Sequence, residues 1–294
     1  MEGTIVDLSE DGIIRVDEAL LRDVIPKRDP FSRKGENGSI AVIGGSRLYH
    51  GAPVLSALGA LRTGVDLVYL FVPHILVDPI RSLSPNFIVY PLPDAKITPG
   101  VANKILNSIP KIDSAVIGPG AGRQRTEGMK QLSFGLAEKR VKLVLDADAL
   151  LPGVTEHLGN CEVVLTPHPG EFSRLYSTQI GESVKERITA VKEKAAKDGI
   201  TILLKGATDI ISDGELVAIN ETGTPAMTVG GTGDVLAGVV AANLAKGMSL
   251  FHSALVAAYV NGRAGELAQM RLGLRILATD LVEELPEVLK PFDA

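Results

Sequence analysis

Thr222-Gly-Thr-Pro-Ala-Met-Thr-Val-Gly-Gly-Thr-Gly-Asp-Val-Leu236 sets four glycines (Gly223, Gly230, Gly231, Gly233) close together and then places one carboxylate, Asp234, at the mouth of an apolar stretch. Residues 235–245 carry no charge and read as a buried helix. A glycine-rich turn feeding a helix N-terminus points several backbone N–H groups at one spot, and the helix dipole makes that spot favourable for an anion. An acidic side chain beside an anion site works against binding unless it removes a proton there. The stretch therefore predicts a phosphate site with its own general base. The competing reading is an N-cap, where Asp is common. For an isolated Gly-Asp pair the cap is the commoner case; the glycine spacing favours the base.

Outward from this stretch, short apolar runs alternate with helical patterns. Residues 39–46, Ser-Ile-Ala-Val-Ile-Gly-Gly-Ser, form a run closed by a glycine pair, as a buried parallel strand entering a loop would. Residues 51–61 are small and apolar at helical spacing, with Pro53 in the first turn. A second strand over 65–72 completes a βαβ unit. Further strands are predicted over 113–118, 142–146, 163–165 and 200–205, and a hairpin over 209–216 turning at Asp213-Gly214. Helices are predicted over 127–139, 181–198, 234–246, 250–269 and 279–289. Residues 1–38 are polar, and 26–35 read as an extended or weakly ordered lead-in. No linker, fixed-period repeat or low-complexity tract divides the chain. The expectation is one α/β domain over 1–294, a largely parallel central sheet with helices on both faces.

Bulk properties bound the function. Net charge is −5 and the Lys and Arg residues are scattered, which gives no footprint for nucleic acid or an anionic membrane. Cys161 is the only cysteine, so no intrachain disulfide forms and a reducing compartment is expected. The N-terminus lacks a signal-peptide pattern, and the longest uncharged stretch, 247–262, is too short and too polar to span a bilayer. A soluble, cytoplasmic protein is the expectation.

Five loops follow the C-terminal ends of predicted strands: Gly44-Gly45-Ser46, Gly118-Pro119-Gly120, Asp146-Ala147-Asp148, His168-Pro169-Gly170-Glu171 and Lys205-Gly206. In an open α/β sheet these ends share one edge, where ligands bind. Singly, each loop reads as a tight turn. Together they read as a site for a nucleotide and a second polar substrate.

These residues carry a resemblance. Gly44-Gly-Ser46 with Tyr49 and Gly51-Ala52, Gly118-Pro-Gly-Ala-Gly122, Asp146-Ala-Asp-Ala-Leu150, Thr166-Pro-His-Pro-Gly-Glu-Phe172, Leu204-Lys-Gly-Ala207 and Gly230-Gly-Thr-Gly-Asp-Val-Leu236 occur in this order. The set resembles the ADP/ATP-dependent NAD(P)H-hydrate dehydratases, a branch of the ribokinase-like fold with three-layer αβα architecture. Residues 26–35 and Ala278-Thr-Asp-Leu281 extend the likeness over nearly the whole chain. The glycine stretch alone indicates only a ribokinase-like phosphotransferase; the Thr166–Phe172 motif with Asp146–Leu150 is more specific.

The resemblance implies repair of hydrated NADH or NADPH by dehydration, driven by ADP or ATP with Mg²⁺. Asp234 would be the base, and the backbone N–H groups of Gly231, Thr232 and Gly233 would stabilise the transferred phosphoryl. Lys205, Gly206, Ala207, Thr208 and Asp209 would lie along the nucleotide, although Asp209 stands where many relatives carry Thr. Ala52, Gly120, Gly122 and His168 would contact the hydrated dinucleotide. Outside the motif, His168 reads as a rigid loop residue bonded to backbone. Asp146, Asp148 and Glu171 stay open between local structure and support of Mg²⁺ or substrate; metal ligands are not assigned. Val65-Asp66 replaces the family's usual Ala-Gly. The resemblance also implies a homo-oligomer, typically a tetramer, in which helix 52–61 packs against a partner or inside the domain. It implies cooperation with a separate NAD(P)H-hydrate epimerase, since 38 residues ahead of the first strand hold no such domain. A small-molecule kinase of the same fold, acting on a vitamin precursor or sugar, would use the same base and anion hole.

Overall fold

The computed structural model describes residues 12–94, 96–122, 126–159 and 161–293. Its centre is a run of parallel strands rich in Val, Ile and Leu: β2 (Ser39–Ile43), β3 (Leu67–Pro73), β4 (Ile88–Leu92), β5 (Ser114–Ile117), β6 (Lys142–Leu145), β7 (Val163–Leu165) and β8 (Thr201–Leu204). β9 (Asp209–Ser212) and β10 (Val217–Asn220) make the expected hairpin, and a two-residue β1 (Ile14–Arg15) lies parallel to β10 at the edge. The sheet order is β1-β10-β9-β8-β7-β6-β5-β2-β3-β4, with β9 antiparallel to both neighbours.

Side-chain alternation along each strand splits the core into two layers. Ile40, Val42, Val116 and Val144 face a layer made by α2 (Gly51–Arg62), α8 (Thr232–Ala245), α9 (Leu250–Leu272) and α10 (Ala278–Leu289). Ala41, Ile43, Ile117 and Leu145 face the opposite layer of α4 (Pro99–Ser108), α5 (Thr126–Glu138), α6 (Pro169–Tyr176) and α7 (Val184–Asp198). Short α1 (Glu18–Val24) and α3 (Val77–Leu83) complete the first layer. This is the three-layer αβα arrangement expected from the sequence.

Helices α2 and α8 approach very closely. A Cβ on Gly238 would stand 2.0 Å from the Ser56 carbonyl oxygen, so only glycine admits the contact. The Ser56 hydroxyl donates to the Asp234 carbonyl at 2.8 Å, tying the first turn of α8 to α2. Helix α2 packs inside the domain against α8 and α10 through Val54, Ala57 and Ala60, while Leu55, Leu58 and Leu61 are only partly buried.

Ahead of the segment read as extended, the polar N-terminal part carries two elements that the sequence did not announce: Ile14 is buried in β1, and Asp17 caps α1 by accepting from the Leu20 N–H, with Leu21 buried beneath. Residues 26–37 are held down by Asp66, whose carboxylate accepts from the Gly35 and Asn37 N–H groups and pairs with Arg28 at 3.0 Å. Burial works to raise the Asp66 pKa, but these donors together hold it below its ordinary value. This accounts for Asp at position 66. Among the described residues, no helix is long and apolar enough to cross a membrane.

Candidate functional site

Helix α8 begins at Thr232 rather than Asp234. Gly231 is the N-cap, with φ of 102°, and it offers no side chain to the N–H groups of the first turn. Asp234 stands three residues into the helix and does not cap it, so the N-cap reading fails. Gly231 is fixed on two counts: the positive φ, and a Cβ there would lie 2.5 Å from Leu55 Cδ1 and 2.9 Å from Ala278 Cβ. The Thr232 hydroxyl turns back to the Met227 carbonyl at 3.0 Å, bracing the turn.

Two cavities meet at Gly233-Asp234. The first, about 470 Å³, is walled by Lys205, Gly206, Ala207 and Asp209 after β8, by the 222–228 loop, and by Thr232, Gly233, Asn261 and Gly262. The second, about 690 Å³, is walled by residues 46–49, Ala52, Lys96, residues 120–122, Ala147, Asp148 and Asp234. Gly233 faces the first cavity and Asp234 the second. Two ligands bound in the two cavities would come together at the first turn of α8.

Behind this junction lies a charged cluster. Asp146, only 2% exposed, accepts at Oδ1 from Lys205 Nζ (2.8 Å) and from the Thr166 hydroxyl (2.9 Å). Lys205 Nζ is also 3.8 Å from Glu171 Oε2. Burial alone would lower the Lys205 pKa, but Asp146, Glu171 and Asp234 hold it above its ordinary value, so it stays charged. Burial is the main cause that pushes the Asp234 pKa up to about 7; Asp146, Glu171 and Asp148 add to the rise and Lys205 opposes it. A carboxylate half-ionised near neutral pH suits proton abstraction.

The other expected residues divide. Ala52, Gly120 and Gly122 line the second cavity, and the Gly122 N–H donates to Asp148 Oδ2 at 2.7 Å, so Asp148 shapes that loop. Lys205, Gly206, Ala207 and Asp209 line the first cavity, but Thr208 does not. Asp209 accepts from the Gly206 N–H (2.9 Å) and from Asn220 Nδ2 (3.1 Å), and burial pushes its pKa up to about 6 against these donors. It therefore sets the shape of the 205–208 turn. His168 belongs to neither wall. Its Nδ1 accepts from the Gly170 and Glu171 N–H groups, and Glu171 Oε2 accepts from the His168 N–H, a complete capping box on α6. The backbone-bonded reading of His168 describes its Nδ1, while the ring stays more than half exposed at the rim.

Asn261 and Lys96 are wall residues that sequence reasoning passed over, and Tyr49, quoted in the motif, received no role there. Asn261 showed itself only as a polar interruption of the apolar 247–262 stretch. Among the described residues, no group of three or more His, Cys, Asp or Glu side chains is arranged to hold a metal ion.

Comparison with known proteins places the chain in a family. A family model described as NAD(P)H-hydrate dehydratase matches residues 40–287. The chain is 51% identical over 276 residues to an ADP-dependent (S)-NAD(P)H-hydrate dehydratase of Nitrosopumilus maritimus, covering 94% of this chain and 96% of that one. Its structure resembles the ADP/ATP-dependent NAD(P)H-hydrate dehydratase of Bacillus subtilis co-crystallised with ATP and Mg²⁺ (TM-score 0.82, 29% identity, 94% and 97% of the two chains). It also resembles a ribokinase-like superfamily protein of Enterococcus faecalis (TM-score 0.79, 25% identity, 97% and 98% of the two chains). With the family model spanning most of its length and a relative this similar, the chain belongs to the NAD(P)H-hydrate dehydratase family.

Proposed function

We propose that this protein restores hydrated NADH and NADPH, in the S configuration, to NADH and NADPH, with ADP as the driving nucleotide. The observation that carries the reading is the meeting of two cavities at Gly233-Asp234, with a carboxylate poised near neutral pH between them. The nucleotide would occupy the cavity beside Lys205 and Gly206, and the hydrated nicotinamide the cavity beside Ala52, Gly120 and Gly122.

Hydroxide is a poor leaving group, so the ring hydroxyl is first phosphorylated. Asp234 takes the hydroxyl proton as the oxygen attacks the terminal phosphorus of ADP, and the P–O bond to AMP breaks. The uncapped N–H groups of the turn through Gly231, Thr232 and Gly233 receive the charge that develops on the phosphoryl oxygens. The lone pair of the ring nitrogen then expels phosphate to leave an iminium. Loss of a proton from the adjacent ring carbon, to the released phosphate or solvent, restores the double bond of the dihydronicotinamide. The products are AMP, phosphate and NADH or NADPH. Lys205, held charged by Asp146, keeps a positive field at the junction.

The donor set suits Mg²⁺ carried on the nucleotide phosphates, because this ion retains waters and needs few protein ligands. Asp148 and Glu171 are the carboxylates that would receive its waters, and the ion would supply neutralisation of phosphate charge. By family resemblance, assembly as a homotetramer and supply of the S epimer by a separate epimerase complete the reading; light scattering tests the first.

The deciding assay mixes protein, Mg²⁺, hydrated NADH and either ADP or ATP, and follows return of the dihydronicotinamide absorbance. Recovery with ADP supports the reading. Absence of recovery with either nucleotide removes it.

A further inference from the structure

At the opposite edge of the sheet, the N-terminal segment folds over the C-terminal ends of α2 and α8 and encloses a cavity of about 360 Å³. Both helices start at the catalytic junction. Their lengths place this cavity roughly 20 Å from it at 1.5 Å rise per residue. The two regions share no wall residue.

Three cations line it: Lys27, Arg28 and Lys246. Lys246 follows α8, and its ammonium donates to the Thr63 carbonyl at 3.1 Å, where α2 ends. Among the described residues this is its only hydrogen-bond partner, and no carboxylate lies within ion-pair distance. Burial is the main cause that pulls its pKa down to about 8, Arg28 adds to that, and Asp293 opposes it from beyond contact. Arg28 is fixed in place by Asp66 and by the Gly64 carbonyl. Of the three acids on the wall, Asp29 accepts from the Phe31 N–H and Glu36 from the Arg33 N–H, while Asp293 lies beyond ion-pair distance of Lys246. A largely buried ammonium without a counter-ion is costly. Two of its three N–H bonds remain for a ligand.

We propose that this cavity is a binding site for a phosphoryl group, held by charge-assisted hydrogen bonds from Lys246 and Arg28. The apolar wall of Leu289 and Phe292 receives whatever organic part the group carries. The C-terminal ends of α2 and α8 hold the two cations in place, because helix C-termini favour positive charge.

Competitive acetylation with trace acetic anhydride, read by peptide mass spectrometry, tests this on the whole protein without any substitution. The arms are inorganic phosphate, glycerol phosphate and potassium chloride at matched ionic strength. Phosphate is expected to reduce Lys246 labelling severalfold while chloride leaves it unchanged. Protection of Lys205 reports separately on the nucleotide cavity. Stronger protection by glycerol phosphate assigns an organic phosphate, and the reverse assigns the free ion. In parallel, Lys246→Met is expected to lose part of the phosphate-dependent rise in Tm and to keep wild-type turnover. The proposal is overturned if Lys246 labelling ignores phosphate that protects Lys205, if chloride protects equally, or if Lys246→Met keeps the full Tm response. It is also overturned if Asp293→Asn alone exposes Lys246 to labelling as fully as phosphate removal does, since the chain would then supply its own counter-ion.

Discussion

Lys205 Nζ lies 2.8 Å from Asp146 Oδ1, and the same ammonium pulls against the burial and the neighbouring carboxylates that raise Asp234. One lysine therefore neutralises a buried acid and tunes the Asp234 carboxyl in front of it. Replacing Lys205 with Met strands the Asp146 carboxylate, and breaking such a pair costs about 3–5 kcal/mol. Urea unfolding is expected to show a loss of that order. Residual turnover of Lys205→Met is expected to need a higher pH, because Asp234 loses the one cation among the described residues that lowers its pKa. An acid limb at the wild-type position would show that Lys205 does not act on Asp234.

Asp234→Asn is expected to lower kcat by about 10²–10⁴-fold, the usual contribution of a positioned base, and to keep nucleotide binding. Wild-type activity is expected to rise with pH through about 7, as Asp234 loses its proton. Its effect on stability has the opposite sign. Between the unfolded value of 3.8 and the folded value of about 7, the folded state holds a proton that the unfolded chain has released. Asp234 thus weakens the fold progressively as pH rises through that window, by about 1.4 kcal/mol for each pH unit crossed. The Asn variant escapes this, so its Tm is expected to exceed wild type by several degrees above pH 7 and to converge with it near pH 4. Equal Tm values throughout would mean that Asp234 is not strained by burial.

The fold was legible where one local signal sufficed. Short apolar runs closed by glycine or polar loop residues marked β2, β5, β6, β7 and β8, and Asp213-Gly214 marked the β9–β10 hairpin. The glycine stretch located the junction and the carboxylate that stands at it. What stayed hidden depends on distant partners. Nothing near Asp66 announces that it gathers Gly35, Asn37 and Arg28. Asp146 becomes the counter-ion of Lys205 only because β6 and β8 flank β7. β1 has two residues and takes its register from β10 alone. The His168 motif names a family, while the capping geometry of the ring emerges only in three dimensions.

Gly231→Ala tests the turn that aims the anion hole. The new methyl would sit 2.5 Å from Leu55 Cδ1 and 2.9 Å from Ala278 Cβ, on a backbone with φ of 102°. Crowding and left-handed strain each cost about 1–3 kcal/mol, so a loss of several kcal/mol is expected. Turnover is expected to fall further than stability, since the N–H groups of Thr232 and Gly233 shift with the turn. A variant with a normal melting curve and normal kcat would show that the turn tolerates a side chain.

Asn261 lines the cavity beside Lys205, 5% exposed, with Nδ2 donating to the Thr232 carbonyl at 3.4 Å and Oδ1 left without a partner among the described residues. The donated bond fixes which way the amide faces, so the free acceptor is the oxygen. A buried acceptor without a donor is unfavourable, and a nucleotide can relieve it with a ribose hydroxyl or an amino hydrogen. Asn261→Leu removes both the strain and the contact. It is expected to melt no lower than wild type without ligand, yet to raise the KM for ADP about tenfold, equivalent to roughly 1.4 kcal/mol, with kcat nearly unchanged. A rise in KM for the hydrated dinucleotide instead would move Asn261 to the other cavity. An unchanged KM for ADP would make it only a wall.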